Sequence, residues 1–147
     1  MQKPTYTVWM HGNSLQVEHP DRVDELWRTG FLGRIVGKPD TENWVHFAIP
    51  TLVIADSHRL RATRVVIVFR TDSPDAIVNT VHVYDGERRI AEHNNLRLYA
   101  DAGWQTFDIP EGTPHMRMGI GISICVSFGV EPMRHGVDFI SVACEFV

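Results

Sequence analysis

The stretch Gly119–Val130, which reads G-I-G-I-S-I-C-V-S-F-G-V, alternates between two kinds of side chain along its whole length. Isoleucine, valine and phenylalanine occupy one parity, and glycine, serine and cysteine occupy the other. Because successive side chains of a β-strand point to opposite faces, this pattern predicts a long strand with one apolar face and one face of small residues. No charged residue occurs between Arg117 and Glu131, so we expect something to cover the small-residue face.

A second alternating stretch, V-D-F-I-S-V-A-C-E-F-V, follows after turn residues and covers 137–147. We predict that the two strands pair as an antiparallel hairpin, with their small side chains in one flat patch. The patch would consist of Ser123, Cys125, Ser127, Ser141 and Ala143. The uncharged Gly119–Val130 strand lacks the usual protection against sheet stacking and edge pairing, so the residues of this patch are the candidate contact of a homo-oligomer. The alternative is a cover from the same chain, such as a second sheet.

The remaining chain shows short alternating stretches separated by turn residues. Asp85-Gly86 between two such stretches predicts a hairpin, and Val65–Phe69, apolar on both parities, predicts a strand covered on both sides. Only Asp21–Arg28 has apolar residues at helical spacing, which predicts one or two helical turns. We therefore predict an all-β protein, an antiparallel β-sandwich of jelly-roll type. It would have about nine or ten strands and at most one short helix, in a single domain over residues 1–147.

Composition limits the class of partner. The chain has 147 residues and a net charge of −4, and its basic residues are scattered, which argues against nucleic-acid binding. The sequence shows neither a signal peptide nor an apolar run long enough to span a membrane, so the expected location is cytoplasmic. Cys125 and Cys144 fall on opposite parities of the two predicted strands. We therefore expect two free thiols.

Motifs of common catalytic sites are absent. The sequence has no phosphate-binding loop, no dinucleotide-binding glycine pattern, no H-E-x-x-H, no C-x-x-C and no G-x-S-x-G. Eight histidines are present, but no His-x-His pair places two imidazoles on one strand face, and most lie in or near predicted turns. We predict hydrogen-bonded or solvent-facing histidines, with no metal and no cofactor.

Four ring-bearing residues form the candidate ligand site. Trp44 and His46 share one face of a predicted strand, and His82 and Tyr84 share one face of another. Rings supply contact area at low entropic cost, and an imidazole supplies a directional hydrogen bond, so two such strands side by side would form a ligand platform. The alternative is an ordinary amphipathic sheet face that places these rings at the surface.

Four segments resemble the recurrent segments of a small bacterial protein family of unknown function. They are M-H-G-N-S (Met10–Ser14), W-V-H-F-A-I-P-T (Trp44–Thr51), V-H-V-Y-D-G (Val81–Gly86) and G-I-G-I-S (Gly119–Ser123). The resemblance covers nearly the whole chain. It implies a single β domain and transfers no catalytic residue.

These observations favour a non-enzymatic binding or assembly module that self-associates or holds a small polar ligand. One alternative is a small β-fold enzyme in which His46 or His82 acts as the acid/base or as a metal ligand. Another is a structural subunit without a ligand. Native mass, metal content after purification and the convergence of the four rings would distinguish the three hypotheses.

Overall fold

The computed structural model describes residues 4–147 and contains, within them, thirteen β-strands and two short 3-10 turns. The strands are β1 (Tyr6–His11), β2 (Gln16–Val17), β3 (Val23–Arg28), β4 (Gly33–Gly37), β5 (Thr41–Ile49), β6 (Ile54–Ala55), β7 (His58–Arg59), β8 (Ala62–Thr71), β9 (Ala76–Asp85), β10 (Arg88–His93), β11 (Gly103–Asp108), β12 (Ile120–Phe128) and β13 (Gly136–Phe146). β2, β6 and β7 have only two residues each. Among the described residues no helix is long and apolar enough to cross a membrane.

The longer strands form two antiparallel sheets. Sheet A has the order β11-β8-β13-β4-β3, and β1 also pairs with β13, so β1 and β4 share one edge of that strand. Sheet B has the order β10-β9-β12-β5-β2, and β6 and β7 form a small separate hairpin. The predicted all-β fold, an antiparallel β-sandwich of jelly-roll type, is confirmed.

The hydrophobic core lies between the two sheets. Phe47 of β5 in sheet B meets Phe139 of β13 in sheet A with 5.6 Å between ring centroids. Ile122 and Ile124, on the apolar parity of β12, are fully buried. Complete burial of such a side chain contributes about 1.5–3 kcal/mol, so each of these two isoleucines helps to hold the sheets together.

The predicted β12–β13 hairpin is wrong, because the two strands belong to different sheets. β12 pairs with β5 and β9, whereas β13 pairs with β8, β1 and β4. Each strand has one strongly apolar face, and two stacked sheets bury both faces against each other. The connection from Gly129 to His135 therefore crosses between the sheets instead of forming a tight turn.

The helical turn predicted over Asp21–Arg28 is also wrong. A 3-10 turn covers Pro20–Arg22, and Val23–Arg28 is the edge strand β3, which pairs with β4. Most of β3 is exposed, in keeping with its charged residues, and charges on an edge strand discourage pairing with other chains. The helical spacing of Val23, Leu26 and Trp27 predicts a helix, but in the structure these residues lie in the edge strand β3, where Leu26 and Trp27 are exposed.

The hairpin predicted at Asp85-Gly86 is confirmed as the β9–β10 connection, with its centre one residue later. Asp85 pairs with Arg88, and Gly86 has a φ of 60°, a left-handed conformation that suits glycine. The Asp85 carboxylate accepts hydrogen bonds from the backbone N–H groups of Arg117, Met118 and Gly119. It thereby holds the chain at the entrance to β12.

Candidate functional site

The central strand of sheet B brings the four candidate ligand residues together on the outer face of that sheet. Ser123 of β12 lies opposite His46 of β5 on one side and opposite His82 of β9 on the other. In the same register Trp44 lies opposite Cys125, and Tyr84 lies opposite Gly121. The rings therefore border a strip of small residues on both sides.

Three of the rings form a row across this strip. The Trp44 and His82 ring centroids are 5.1 Å apart, and those of His82 and Tyr84 are 6.2 Å apart. Trp44 and His82 come from the two strands that flank β12, so their contact lies above β12. Beneath it, Cys125 is only 3% exposed. The expected cover of the small-residue face is thus supplied by rings of the same sheet.

His46 is held by hydrogen bonds at both ring nitrogens. Its Nε2 is 2.9 Å from Glu18 Oε1, and its Nδ1 is 2.8 Å from Ser123 Oγ. A carboxylate only accepts hydrogen bonds, so in the neutral imidazole Nε2–H donates to Glu18, and Nδ1 accepts the hydroxyl proton of Ser123. The imidazole orientation is therefore defined before any ligand arrives.

Further polar groups lie around the rings. Near Trp44, the Asn79 amide and the Ser127 hydroxyl both donate to Glu42 Oε2, at 3.3 and 3.2 Å, and the Asn79 amide also contacts Ser127 Oγ. Near the other edge, His82 Nε2 is 3.4 Å from Asn94 Oδ1. Carboxylate, amide, hydroxyl and imidazole groups thus surround the ring row.

The floor beside Tyr84 is open. A Cβ atom added to Gly121 would meet nothing within 4 Å, and Ala48, on the other side of Gly121, is exposed. Open space therefore lies above the Gly121 backbone, between Tyr84 and Ala48 and next to the ring row. It leaves room for a flat ligand to approach the sheet backbone.

The Cys125 thiol is buried between these groups. Burial, together with the nearby Glu42 carboxylate, raises the pKa of Cys125 to about 12. A thiolate is the reactive form of cysteine, so Cys125 is not poised as a nucleophile. Both cysteines are free, as predicted.

The five residues predicted as one oligomer contact do not form one patch. Ser123, Cys125 and Ser127 lie on the outer face of sheet B, whereas Ser141 and Ala143 lie on the outer face of sheet A. The cause is the assignment of β12 and β13 to different sheets. Self-association through the sheet B face stays a prediction.

Two tryptophans cover the small residues of sheet A. Trp9 of β1 and Trp104 of β11 meet with 5.1 Å between ring centroids, although β13 and β8 lie between their strands. Ala143 beneath them is fully buried, and Val66 is 2% exposed. This explains why the Val65–Phe69 segment of β8, predicted to be covered on both faces, carries apolar residues on both parities.

Glu18, Asn79 and Asn94 were not among the candidate residues of the sequence. Each is brought to the site by pairing between strands, and Glu18 reaches His46 because β2 pairs with β5. Their side chains are common on any protein surface. The only signal that could have found them is the strand order, which parity within one strand does not reveal.

The chain belongs to a family of unknown function, DUF6623, whose model matches residues 3–147. None of the curated proteins matches the sequence. The predicted resemblance to a family of unknown function is confirmed.

Solved structures share the fold at low sequence identity. A low-affinity xylan-binding module from Roseburia intestinalis is similar with a TM-score of 0.57 and 15% identity, over 97% of this chain and 96% of that one. The module CBM27-1 of Caldicellulosiruptor saccharolyticus, solved with mannohexaose, has a TM-score of 0.53 and 9% identity over 97% of both chains. A cyclase from Fischerella sp. TAU has a TM-score of 0.54 and 11% identity, over 97% of this chain and 98% of that one. The fold therefore occurs both in binding modules and in a small enzyme.

Proposed function

We propose that this protein is a non-enzymatic binding module that holds a neutral saccharide on the outer face of sheet B. The observation that carries the proposal is the row formed by Trp44, His82 and Tyr84 above β12, with hydrogen-bonding groups on both sides. Sugars present C–H groups that pack on ring faces and hydroxyl groups that bond to carboxylates, amides and imidazoles. The face offers both kinds of contact.

The charge of the face favours a neutral ligand over an anionic one. Glu18 and Glu42 border the ring row, and their carboxylates already accept hydrogen bonds from imidazole, amide and hydroxyl groups of the protein. Each carboxylate has lone pairs left for sugar hydroxyl donors. A ligand carboxylate or phosphate placed here would meet like charge.

The fold supports the same proposal. Two of the similar structures are a xylan-binding module and a module solved with mannohexaose, so this sandwich is able to present a saccharide site. Fold alone does not determine function, and for this reason the proposal depends on the ring row. A cytoplasmic location and self-association are compatible with it and are independent of it.

The test is affinity electrophoresis in gels that contain xylan, mannan or another soluble polysaccharide, followed by calorimetric titration with the matching hexasaccharide. The key variant is Gly121→Val, which places a side chain in the open floor. Because the added Cβ finds open space and valine suits a strand, the fold should be retained while binding is lost.

A matched control distinguishes loss of the site from general disturbance. Thr106→Val changes a residue on the outer face of sheet A, opposite Val66 and away from β12, and should leave binding unchanged. If no polysaccharide retards the parent protein, or if Gly121→Val binds as well as the parent, the proposal is wrong.

A second candidate function is enzymatic, and one observation favours it. The hydrogen-bonded series Glu18–His46–Ser123 has the order of an acid, an imidazole and a hydroxyl nucleophile. Ser123, however, is 8% exposed in the middle of a paired strand, where the ladder uses the neighbouring backbone N–H groups that an oxyanion hole would need. Covalent labelling of Ser123 by a fluorophosphonate, abolished in Ser123→Ala, would favour the enzyme.

A further inference from the structure

A cleft of about 500 Å³ lies outside the face described above. Its walls come from the start of β1, the β6–β7 hairpin, the residues that follow β7, and the loop that precedes β12. Sites for small molecules are typically about 300–1,000 Å³, so the cleft is large enough for a compact organic ligand. None of Trp44, His46, His82 and Tyr84 lines it.

The lining is rich in basic side chains, although the whole chain carries a net charge of −4. The basic members are His58, Arg59, Arg61 and His115. The carboxylate among the lining residues, Asp56, accepts a hydrogen bond from the Tyr6 hydroxyl at 2.7 Å. With its histidines neutral, the cleft still has two arginines against one side-chain carboxylate, an excess of positive charge on an acidic protein.

Both arginines are held in position by the backbone of the loop before β12. Arg59 Nη1 donates to the carbonyl oxygen of Met116 at 3.3 Å, and Arg61 Nε donates to that of Thr113 at 2.9 Å. A guanidinium has five N–H donors, so most of them remain available. Among the ion pairs of residues 4–147, none includes either arginine.

Hydrogen bonds and a buried side chain hold the walls of the cleft in place. Leu60 is buried, its N–H donates to Val53 O at 2.9 Å, and its carbonyl accepts from Met116 N at 2.7 Å. The Tyr6–Asp56 hydrogen bond joins β1 to the tip of the β6–β7 hairpin. At that tip Asp56 and Ser57 have φ values of 49° and 65°, the conformation of a tight two-residue turn.

We propose that this cleft binds a small organic oxyanion, a carboxylate or a phosphate ester carried on a compact polar molecule. Arg59 and Arg61 bind the oxyanion through their free N–H donors, which match the geometry of carboxylate and phosphate oxygens. Pro4, Ala55 and Leu60 supply apolar contacts for the body of the ligand. The proposal is independent of the saccharide face on sheet B, whose border is acidic.

The experiment is an NMR titration of the ¹⁵N-labelled protein with D-glucuronate, D-glucose 6-phosphate, D-glucose and inorganic phosphate. We expect glucuronate or glucose 6-phosphate to shift resonances of the Arg59–Arg61 segment, and glucose to leave them unchanged. Arg59→Gln and Arg61→Gln should each weaken that binding by about fivefold or more. Arg97→Gln, which removes the same charge from an arginine that lies over Tyr99, should have no effect.

Arg61→Lys keeps the charge but loses the fork of donors, so its affinity should lie between those of the parent and Arg61→Gln. Thermal unfolding of each variant checks that the loop before β12 is intact. Equal shifts with glucose, equal weakening by Arg97→Gln, or no shift with either organic anion at millimolar concentration would overturn the proposal. Inorganic phosphate that binds as tightly as glucose 6-phosphate would overturn the role of the organic body.

Discussion

The outer faces of the two sheets cover their small central residues in the same way but leave different chemistry exposed. On sheet A two indoles meet above Ala143, and on sheet B an indole and an imidazole meet above Cys125, each pair at 5.1 Å. Trp9 and Trp104 are 43% and 62% exposed, so they form the more open aromatic surface. Exposure alone would therefore point to sheet A as the binding face.

The polar groups around the rings distinguish the two faces. On sheet A the charges pair with each other, Arg64 with Glu145 at 2.9 Å, and Arg34 and Arg70 with Asp138 at 2.9 and 3.0 Å. On sheet B the carboxylates of Glu18 and Glu42 accept hydrogen bonds from imidazole, amide and hydroxyl groups, and their oxygens keep lone pairs for further donors. The proposed binding at sheet B therefore depends on the free acceptors beside its rings and not on the exposed area of those rings.

The largest expected effect concerns the thiol beneath the sheet B rings. Burial raises the pKa of both Cys125 and Cys144 to about 12, from an ordinary value of 9.0. At pH 8 the thiolate fraction should fall about a thousandfold, so Ellman's reagent should detect almost no thiol in the native protein and two after denaturation. Trp44→Ala should expose Cys125 alone to alkylation, as peptide mass spectrometry would show. Fast labelling of both native thiols in the parent would contradict the described cover.

The next effect compares one tryptophan from each face. Trp44→Ala should weaken binding of the saccharide identified above by at least tenfold, or about 1.4 kcal/mol, because it removes the largest ring of the row. Trp104→Ala should change the affinity by less than twofold. The calorimetric titrations used for the parent measure both. The opposite result would assign the binding face to sheet A.

A smaller effect concerns the paired charges near sheet A. The Arg34 guanidinium holds the pKa of Asp72 below its ordinary value of 3.8. When the pKa of an acid is lower in the folded protein than in the unfolded chain, its ionised form stabilises the fold at pH values above the unfolded-state pKa. This stability is lost as the pH falls through the folded-state pKa. Asp72→Asn should therefore destabilise the protein by about 1 kcal/mol at pH 7, since water partly screens the pair, and much less at pH 2.

Urea unfolding at the two pH values measures this difference. Asp108→Asn is the control, because its carboxylate is largely exposed and lies 4.0 Å from Arg64. A loss of stability that is the same at both pH values would assign the effect of Asp72→Asn to its neutral hydrogen bonds instead of its charge.

The smallest expected effect concerns self-association through the sheet B face. Ser123 and Cys125 are already buried within the chain, so among the three predicted contact residues on this face only Ser127 would reach a partner copy. Ser127→Arg places a charge beside that contact and should lower the native mass if the parent is an oligomer. Native mass spectrometry measures the oligomeric state, and thermal unfolding checks that the variant is folded. A parent that is monomeric at high concentration contradicts the association.

Parity within single strands predicted more of this molecule than pairing between strands did. The alternation of Gly119–Val130 was enough to predict β12 and its covered face, and Trp44 with His46 fell on one face as expected. The position of Ser123 between His46 and His82 depends on strand order, which distant contacts determine. Adjacency in sequence predicts that β12 and β13 pair, but the two strands lie in different sheets, so Ser141 and Ala143 are on the other side of the molecule from Ser123.

The position of β13 as the common partner of β8, β4 and β1 affects how the protein folds. Sheet A needs Gly136–Phe146 before β8, β4 and β1 have their common partner, and all three are synthesised long before it. Until that segment leaves the ribosome, their apolar sides and backbone groups stay open to chaperones and to other nascent chains. We therefore expect folding to be slow for a domain of this size, since most of its strand pairing is distant in sequence.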